Sequence, residues 1–398
     1  MRRLTFFLTL FTTLLCAPTW AQRATDIGPV DVRTSNATVP IRVTGSPSEL
    51  DKLANFAFES HGLYRRVSSG ETYLMRFTAV SGTRVQVDVL RGGNAILSRA
   101  VSGTSLRNAL LKAADVAVEA TSGGSKGFFA SQLTFISSQS GATEVHTGDL
   151  FFGDVRQITR DRASAMSPRW SPDGSKLLYT SFYRSNGADI YQIDLNTMQR
   201  TTFVSFKGTN QGARYSPDGS RVTMVLSGEG NPEVYVANAQ GKAVSRRTRS
   251  SSVESSPVFS PDGRRILFVS DMAGGPQLYT IPEAGGRASR VPTNISRYCA
   301  EPDWSVTNPN LVAFSMRIGS GFQIGLFDFS TGAAAKQVSK APFDALEPSW
   351  LADGRHLIYT ARAPNQRSIW LLDTQTGKQT KLSPSSLGQV SQASAVLK

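Results

Sequence analysis

The sequence PRWSPDG occupies residues 168–174, and close copies follow as ARYSPDG at 213–219 and PVFSPDG at 257–263. Degenerate copies begin with PDWS at 302–305 and with PSW at 348–350, the second ending in Asp353-Gly354. The aromatic residue of the motif recurs at 170, 215, 259, 304 and 350, which gives spacings of 45, 44, 45 and 46 residues. A fixed period of this length indicates a fold built from repeated units of similar structure.

Each repeat contains the same series of short strands. A strand-forming run follows the Asp-Gly of each motif, a second run follows about ten residues later, and a turn with Gly or Asn precedes a short polar strand. The first runs are 177–180, 222–226, 266–269, 311–314 and 357–360. Four short strands in about 45 residues are typical of one blade of a β-propeller.

The Ser-Pro-Asp-Gly element has a mechanical explanation as a hairpin turn. Proline presets φ near −65°, Asp hydrogen-bonds the backbone ahead of it, and Gly takes a left-handed conformation. We therefore assign a structural role to Asp173, Gly174, Asp218, Gly219, Asp262, Gly263, Asp353 and Gly354. Calcium binding is the alternative, but it needs several more oxygen ligands at each turn, and no local acidic cluster supplies them.

The sequence pattern predicts six blades that form a closed ring. A sixth strand-forming run, 133–136, is followed by Glu144-Val145-His146 at the position of the next strand, but it lacks a preceding motif. The missing inner strand is expected at the C-terminus, within 389–397, where it would close the ring and remove the free edges. Residues 131–398 number 268, or about 45 for each of six blades.

The N-terminus has the pattern of an export signal. Arg2 and Arg3 precede an apolar run of 14 residues, 4–17, and Thr19-Trp20-Ala21 predicts cleavage after Ala21. An uncleaved anchor and lipidation at Cys16 are alternatives; the run is short for a membrane span, and the bulky Leu15 argues against lipidation. Without Cys16 the mature chain has Cys299 alone, so no intrachain disulfide is possible.

The sequence predicts a small α/β domain at residues 22–124, followed by the propeller at residues 125–398. Ser46-Pro47-Ser48-Glu49 matches a capping box at the start of a helix that Gly62 ends. Strands are expected at 72–80, 85–90 and 95–101, and a second helix at 105–120. We expect residues 22–34, which precede these elements, to form a flexible segment that binds a partner.

Charge and composition exclude some functions. The formal net charge is +13, but the Lys and Arg residues are scattered, and the densest cluster, Arg246, Arg247 and Arg249, has no aromatic platform beside it. Nucleic-acid binding is therefore disfavoured. Attraction to anionic lipid headgroups or to an acidic protein fits an exported basic chain better.

The sequence contains no catalytic constellation that we could identify. It lacks a Gly-x-Ser-x-Gly elbow and a phosphate-binding loop, and His61, His146 and His356 have no metal-binding spacing. His356 is expected at a surface or turn position. We predict a protein that is not an enzyme and needs no cofactor or metal.

Three acidic residues precede the innermost strands of three blades: Glu254, Glu301 and Glu347. Equivalent stretches elsewhere hold Met166-Ser167, Gln211-Gly212 and Ser391-Gln392. We expect these positions around one mouth of the central channel, where carboxylates would attract a cation or a basic group of a partner. The alternative is that they cap local backbone amides.

An export signal, a small α/β domain and a six-bladed propeller of these repeats together resemble the TolB family, periplasmic components of the Tol–Pal system. The junction at Lys126-Gly127-Phe128-Phe129, followed by the strand 133–136, is also similar to the family. Ser305–Asn310 departs from the Pro-Asp-Gly turn of the other repeats.

The resemblance implies a protein-interaction scaffold that supports outer-membrane integrity and constriction during division. A Pal-like lipoprotein would dock at the channel mouth around Glu254, Glu301 and Glu347, and a TolA-like protein would bind residues 22–34. The protein would contact the membrane only through partners. Two alternatives stay open: a secreted propeller hydrolase or lyase acting on glycans or peptides, and a propeller that carries a small ligand.

Overall fold

The computed structural model describes residues 38–184 and 187–397 of the chain. In these residues one five-stranded mixed sheet with two helices precedes six four-stranded antiparallel sheets. The predicted fold class, a six-bladed β-propeller with a small N-terminal α/β region, is confirmed. The predicted signal at 1–21 and the segment 22–34 lie outside the described residues.

The N-terminal region alternates strands and helices. Its elements are β1 (Val39–Ser46), α1 (Ser48–Ser60), β2 (Tyr64–Arg66), β3 (Tyr73–Ser81), β4 (Arg84–Arg91), β5 (Asn94–Ser102) and α2 (Leu106–Thr121). The sheet order is β2-β1-β3-β4-β5, with β1 parallel to both of its neighbours. The sequence predicted both helices and the last three strands, but it did not predict β1 and β2.

The start of α1 differs from the prediction. Ser46 belongs to β1, and the N-cap residue is Pro47, which offers no capping side chain, so the capping box is not formed. The carboxylate of Asp51 instead accepts a hydrogen bond from the amide of Gly45 at 2.8 Å. In α2, Ser105 is the N-cap, and its hydroxyl accepts a hydrogen bond from the amide of Asn108 at 3.1 Å.

The propeller contains six blades. Blade one consists of β6 (Gln132–Ser137), β7 (Glu144–Asp149), β8 (Arg156–Gln157) and β29 (Val390–Val396). Blade two is β9 (Ala165–Trp170), β10 (Lys176–Ser181), β11 (Asp189–Asp194) and β12 (Arg200–Val204), and blade three is β13 (Asn210–Tyr215), β14 (Arg221–Leu226), β15 (Glu233–Asn238) and β16 (Ser245–Arg246). Blade four is β17 (Glu254–Phe259), β18 (Arg265–Ser270), β19 (Gln277–Pro282) and β20 (Ser289–Arg290).

The last two complete blades have the same order. Blade five is β21 (Cys299–Trp304), β22 (Leu311–Ile318), β23 (Gly321–Asp328) and β24 (Lys336–Gln337). Blade six is β25 (Asp344–Trp350), β26 (His356–Ala363), β27 (Gln366–Asp373) and β28 (Gln379–Lys381), followed by a short 3₁₀ helix, Ser385–Leu387. Strands such as β10 are buried on both faces because each blade packs against two neighbours, so they appear in the sequence as continuous apolar runs.

The C-terminal strand closes the ring. β29 is the innermost strand of blade one and pairs antiparallel with β6, placing Val390 opposite Ser137 and Ser391 opposite Ile136. The hydroxyl of Ser137 also donates a hydrogen bond to the carbonyl of Leu387 at 2.6 Å. The first and last propeller strands therefore belong to one sheet, and the ring has no open edge between them.

The repeated turn joins the first and second strands of a blade. In blade two, the Asp173 carboxylate accepts hydrogen bonds from the hydroxyl of Ser171 at 2.5 Å and from the amide of Ser175 at 3.0 Å. Gly174 has φ of 68°, a conformation that costs a residue with a Cβ atom about 1–2 kcal/mol. The Asp of the motif thus fixes the turn through local hydrogen bonds.

The N-terminal region and the propeller share one hydrophobic core. Phe128 and Phe129, just after α2, are fully buried and contact side chains of both parts. The carboxylate of Asp115 accepts hydrogen bonds from the amides of Phe129 at 2.7 Å and Ala130 at 3.0 Å. A Cβ atom on Gly127 would lie 2.3 Å from the Cβ of Asp115, so the chain passes this point only as glycine. Among the described residues, no helix is long and apolar enough to cross a membrane.

Ring closure by β29 can be tested by truncation. A chain that ends at Gly388 lacks this strand, leaving β6 as an unpaired edge, so we expect a lower melting temperature and self-association relative to the full chain. Thermal denaturation and size-exclusion chromatography with light scattering measure both effects. A chain that ends at Val396 keeps the strand and is the control. Unchanged stability and size for the shorter chain would contradict the closure mechanism.

Candidate functional site

The innermost strands of the six blades line the central channel, and each contains a β-bulge near its middle. The pairing register shifts there in every blade. The six bulge residues all have positive φ: Ser167 (52°), Gly212 (67°), Ser256 (51°), Glu301 (52°), Glu347 (54°) and Gln392 (56°). Bulges redirect side chains, and these six residues form a ring around the channel that we call the bulge ring.

Side chains of the bulge ring connect neighbouring blades. The Glu301 carboxylate accepts a hydrogen bond from the amide of Glu347 at 2.9 Å, and the Glu347 carboxylate accepts one from the amide of Gln392 at 3.1 Å. The side-chain oxygen of Gln392 accepts the next from the amide of Ser167 at 2.7 Å. Three consecutive blade junctions are thus bridged by the same type of bond.

Hydroxyl groups of the second strands complete this network. Ser315 donates to the Glu301 carboxylate at 2.7 Å, and Thr360 donates to the Glu347 carboxylate at 2.7 Å. Burial raises the pKa of Glu301 above its usual value, and the charge of Glu347 acts in the same direction. Glu301 and Glu347 therefore bind backbone amides of the next blade, whereas the sequence interpretation expected local amides.

Glu254 does not belong to the bulge ring. The register places Ser256 at the position equivalent to Glu301, so Glu254 lies two residues earlier, at the start of β17, and is fully buried. Its carboxylate accepts hydrogen bonds from Ser250 at 3.0 Å and from Ser270 at 2.8 Å. The expected group of three acids at the mouth is thus corrected to two. The sequence already contains this signal: Glu301 and Glu347 lie three residues before the aromatic of the motif, whereas Glu254 lies five residues before Phe259.

A second ring of channel residues, two positions further along each strand, carries opposite charges. Arg214 forms an ion pair with Asp303 at 2.7 Å. Arg169 lies beside them, and its guanidinium donates one hydrogen bond, to the carbonyl of Pro168 at 2.9 Å. Among the described residues Arg169 has no carboxylate within ion-pair distance. Burial lowers the pKa of Arg169 to about 9, and the charge of Arg214 acts in the same direction.

The channel widens from one end to the other. A cavity of about 110 Å³ is lined by the bulge ring together with Arg169 and Arg214. The opposite end opens into a cavity of about 540 Å³ whose walls include Trp170, Trp304 and Trp350. All three indoles donate to backbone carbonyls and help to pack the blades.

Two sets of loops surround the narrow end. Antiparallel pairing places the hairpins between second and third strands, and the connections from one blade to the next, at the end where the inner strands begin. We call this surface the mouth face. Six large apolar side chains on its loops and strand ends are exposed: Phe182 (41%), Tyr183 (38%), Phe206 (52%), Val253 (49%), Met272 (44%) and Ile318 (39%).

A buried histidine pair lies where the N-terminal region meets blade six. The rings of His61 and His356 are 4.4 Å apart, and His356 is fully buried, contrary to the expected surface or turn position. His356 Nδ1 lies 2.5 Å from the Asp353 carboxylate, so the turn aspartate also orients this ring. The two histidines are distant in sequence, and no local signal indicates their contact.

This cluster does not offer a complete ligand set for a metal. His61, Asp353 and His356 place one potential ligand atom each within 4.8 Å of one another. However, the amide of Leu63 donates to Nδ1 of His61 at 3.2 Å, so the proton of the neutral ring lies on Nε2 and leaves that nitrogen without a free lone pair. These residues therefore form a packing contact between the N-terminal region and blade six.

Comparisons with known proteins agree with this architecture. The family model described as "TolB beta propeller domain" matches residues 120–395. A Tol-Pal system protein TolB from Desulfosudis oleivorans is 37% identical over 127 residues, which cover 32% of this chain and 28% of that protein. A TolB homolog from Chlorobium chlorochromatii is 33% identical over 136 residues, 34% of this chain and 30% of that protein. The chain thus spans less than a third of the length of either curated relative.

Solved structures extend the similarity to the whole fold. TolB from Acinetobacter baumannii superposes with a TM-score of 0.81 at 23% identity, covering 90% of this chain and 97% of that chain. A putative TolB from Agrobacterium tumefaciens has a TM-score of 0.50 at 17% identity and covers 64% of this chain and 88% of that chain. At these identities the likeness shows the fold.

The buried position of Glu254 predicts a pH-dependent effect of substitution. Burial and the neighbouring Glu233 raise its pKa from 4.5 to about 7. An acid whose pKa is raised by folding favours the folded state at low pH, and this contribution is lost as the pH rises toward 7. The free energy of unfolding of Glu254→Gln, measured relative to that of the wild type, should therefore rise by about 1–3 kcal/mol from pH 5 to pH 8.

Urea unfolding of both proteins at the two pH values measures this difference. Glu119→Gln, at an exposed position of α2, is the matched control and should give the same difference from the wild type at both pH values. A Glu254→Gln effect that does not change with pH would show that the carboxyl group stays ionised, or equally protonated, in both states.

Proposed function

Because the chain belongs to the TolB β-propeller family, we propose that it is a periplasmic protein-interaction scaffold of the Tol–Pal system. In this proposal it supports outer-membrane integrity and constriction during cell division. A Pal-like peptidoglycan-associated lipoprotein docks on the mouth face, and a TolA-like protein binds the segment 22–34. The chain acts through these contacts and catalyses no reaction.

The observation that carries the proposal is the concentration of exposed apolar side chains on the mouth face. Phe182, Phe206 and Met272 project from the loops of three neighbouring blades, and each is at least 41% exposed. Aromatic residues and methionine are enriched in protein interfaces. The mouth face is therefore the best surface for a protein partner.

The channel itself favours binding over catalysis. Glu301 and Glu347 hold amides of the neighbouring blades, so their oxygens are already engaged by the backbone. A hydrolase or lyase would need an acid and a base that are free to contact substrate. We therefore place the scaffold ahead of the alternative, an enzyme acting on glycans or peptides. The export pattern at residues 1–21 supports the periplasmic location that we propose.

Capture of a Pal-like lipoprotein from solubilised envelopes tests the docking surface. We expect the mature chain, residues 22–398, to recover it, and a variant with Phe206→Ser and Met272→Ser to lose about tenfold or more in affinity, since central apolar contacts dominate interfaces. The control variant carries Met198→Ser and Val306→Ser, two exposed apolar positions, 44% and 68%, on the opposite face. Equal capture by both variants would exclude the mouth face as the docking site.

Two further arms complete this experiment. Glu301→Gln with Glu347→Gln keeps the shape of the bulge ring while removing its charge, so a loss of capture in this variant would show that the two carboxylates contact the partner. A chain that begins at residue 35 removes the segment proposed to bind a TolA-like protein and should retain the lipoprotein. Failure of the unmodified chain to recover any envelope protein would contradict the scaffold proposal itself.

A further inference from the structure

The mouth face is rich in unpaired positive charge. Among the described residues, ten exposed basic side chains lie on its loops and adjoining strand ends: Arg160, Arg162, Arg184, Lys207, Arg249, Arg297, Arg317, Lys340, Arg362 and Arg367. Within the described part of the chain, only Arg362 of these ten forms an ion pair, with Asp344 at 2.8 Å. The other nine are solvated cations distributed around the ring.

The acidic side chains of the same loops are already engaged. Asp161 pairs with Arg200 at 2.5 Å, and Glu229 pairs with Arg246 at 2.7 Å. Asp271 accepts a hydrogen bond from the amide of Val253 at 2.9 Å. Asp161 and Glu229 are thus offset by cations outside the ten, whereas Asp271 keeps its negative charge, so the ten exposed cations still outnumber the acids of these loops.

Buried acids behind the loops are also paired. Glu233 forms an ion pair with Arg246 at 2.6 Å. Glu144 accepts hydrogen bonds from the hydroxyl of Thr159 and from the amide of Arg162. These carboxylates lie beneath the surface that a partner would contact, so the field outside the mouth face is set mainly by the exposed guanidinium and ammonium groups.

The channel behind the mouth also contains a cation that forms no ion pair. Arg169 lines the cavity with a single hydrogen bond, and burial lowers the pKa of its guanidinium although Asp303, Glu347 and Glu301 act in the opposite direction. A partly buried cation without an ion-pair partner is stabilised by an anionic group that approaches it. The carboxylates in the same cavity, Glu301 and Glu347, accept hydrogen bonds from backbone amides.

From this arrangement we infer that the protein partner docking on the mouth face presents an acidic surface. The inference rests on the proposed scaffold function and adds the charge of the partner. Arginine predominates over lysine among the ten cations, and arginine suits bidentate contacts with carboxylates in protein interfaces. The cations surround a recessed channel mouth, and a projecting acidic surface fits this concave shape better than a flat anionic bilayer does.

Association kinetics test the inference. The probe is the soluble domain of the Pal-like lipoprotein from the same organism, bound to the full mature chain at low and high salt. Charge reversal at Arg184→Glu, Arg297→Glu and Arg367→Glu should lower the association rate constant by about tenfold or more at low salt and flatten its salt dependence. The control carries Lys242→Glu, Arg264→Glu and Arg287→Glu, exposed positions on the opposite face, with an identical change in net charge.

The experiment distinguishes failure of the acidic partner surface from failure of the scaffold function. An effect confined to the mouth-face variant supports the inference. Tight binding by the wild type with equal rates for both variants overturns the inference and leaves the scaffold function intact. No binding by the wild type overturns both. Vesicles of phosphatidylglycerol provide the last arm: sedimentation with vesicles that the mouth-face variant loses, with unchanged lipoprotein kinetics, would overturn the inference in favour of a lipid surface.

Discussion

The propeller depends on a backbone constraint that recurs six times. Each innermost strand places one residue in the left-handed region, and in five blades that residue carries a side chain. Such a conformation costs about 1–2 kcal/mol for a residue other than glycine. Bonds between blades offset this cost at three junctions, where Glu301, Glu347 and Gln392 each accept the amide of the next bulge residue. The strain is thus coupled to the closure of the ring.

The same constraint decides the chemistry of the channel. The bulge directs a side chain at the narrow end in five of the six blades, and the residue two positions later in each strand forms the next ring. As a result, two glutamates already bound to amides lie beside two arginines, of which Arg214 is paired with Asp303 and Arg169 is not. A channel lined in this way is suited to recognition of charged groups on a docking partner, because its own acids are engaged.

The N-terminal region is joined to the propeller by packing and by polar contacts. Phe128 and Phe129 fill the core between them, and Asp115 holds the chain through two backbone amides. Burial in this junction raises the pKa of Asp115 to about 7, although the amides of Ala130 and Phe129 act in the opposite direction. The His61–His356 contact adds a second junction beside blade six. A partner that docks on the mouth face therefore meets a propeller whose other side is firmly held.

The sequence by itself determined the period, the turns and the number of blades. Those features are local: an Asp-Gly turn is set by bonds within a few residues, and a strand buried on both faces needs a continuous apolar run. The burial of His356 and the bonds between bulge residues were decided by tertiary structure. His356 is covered by a helix end nearly 300 residues earlier in the chain, and the Glu301 carboxylate binds the amide of Glu347 in the next blade. Neither contact leaves a local pattern, because both depend on segments that only the folded ring brings together.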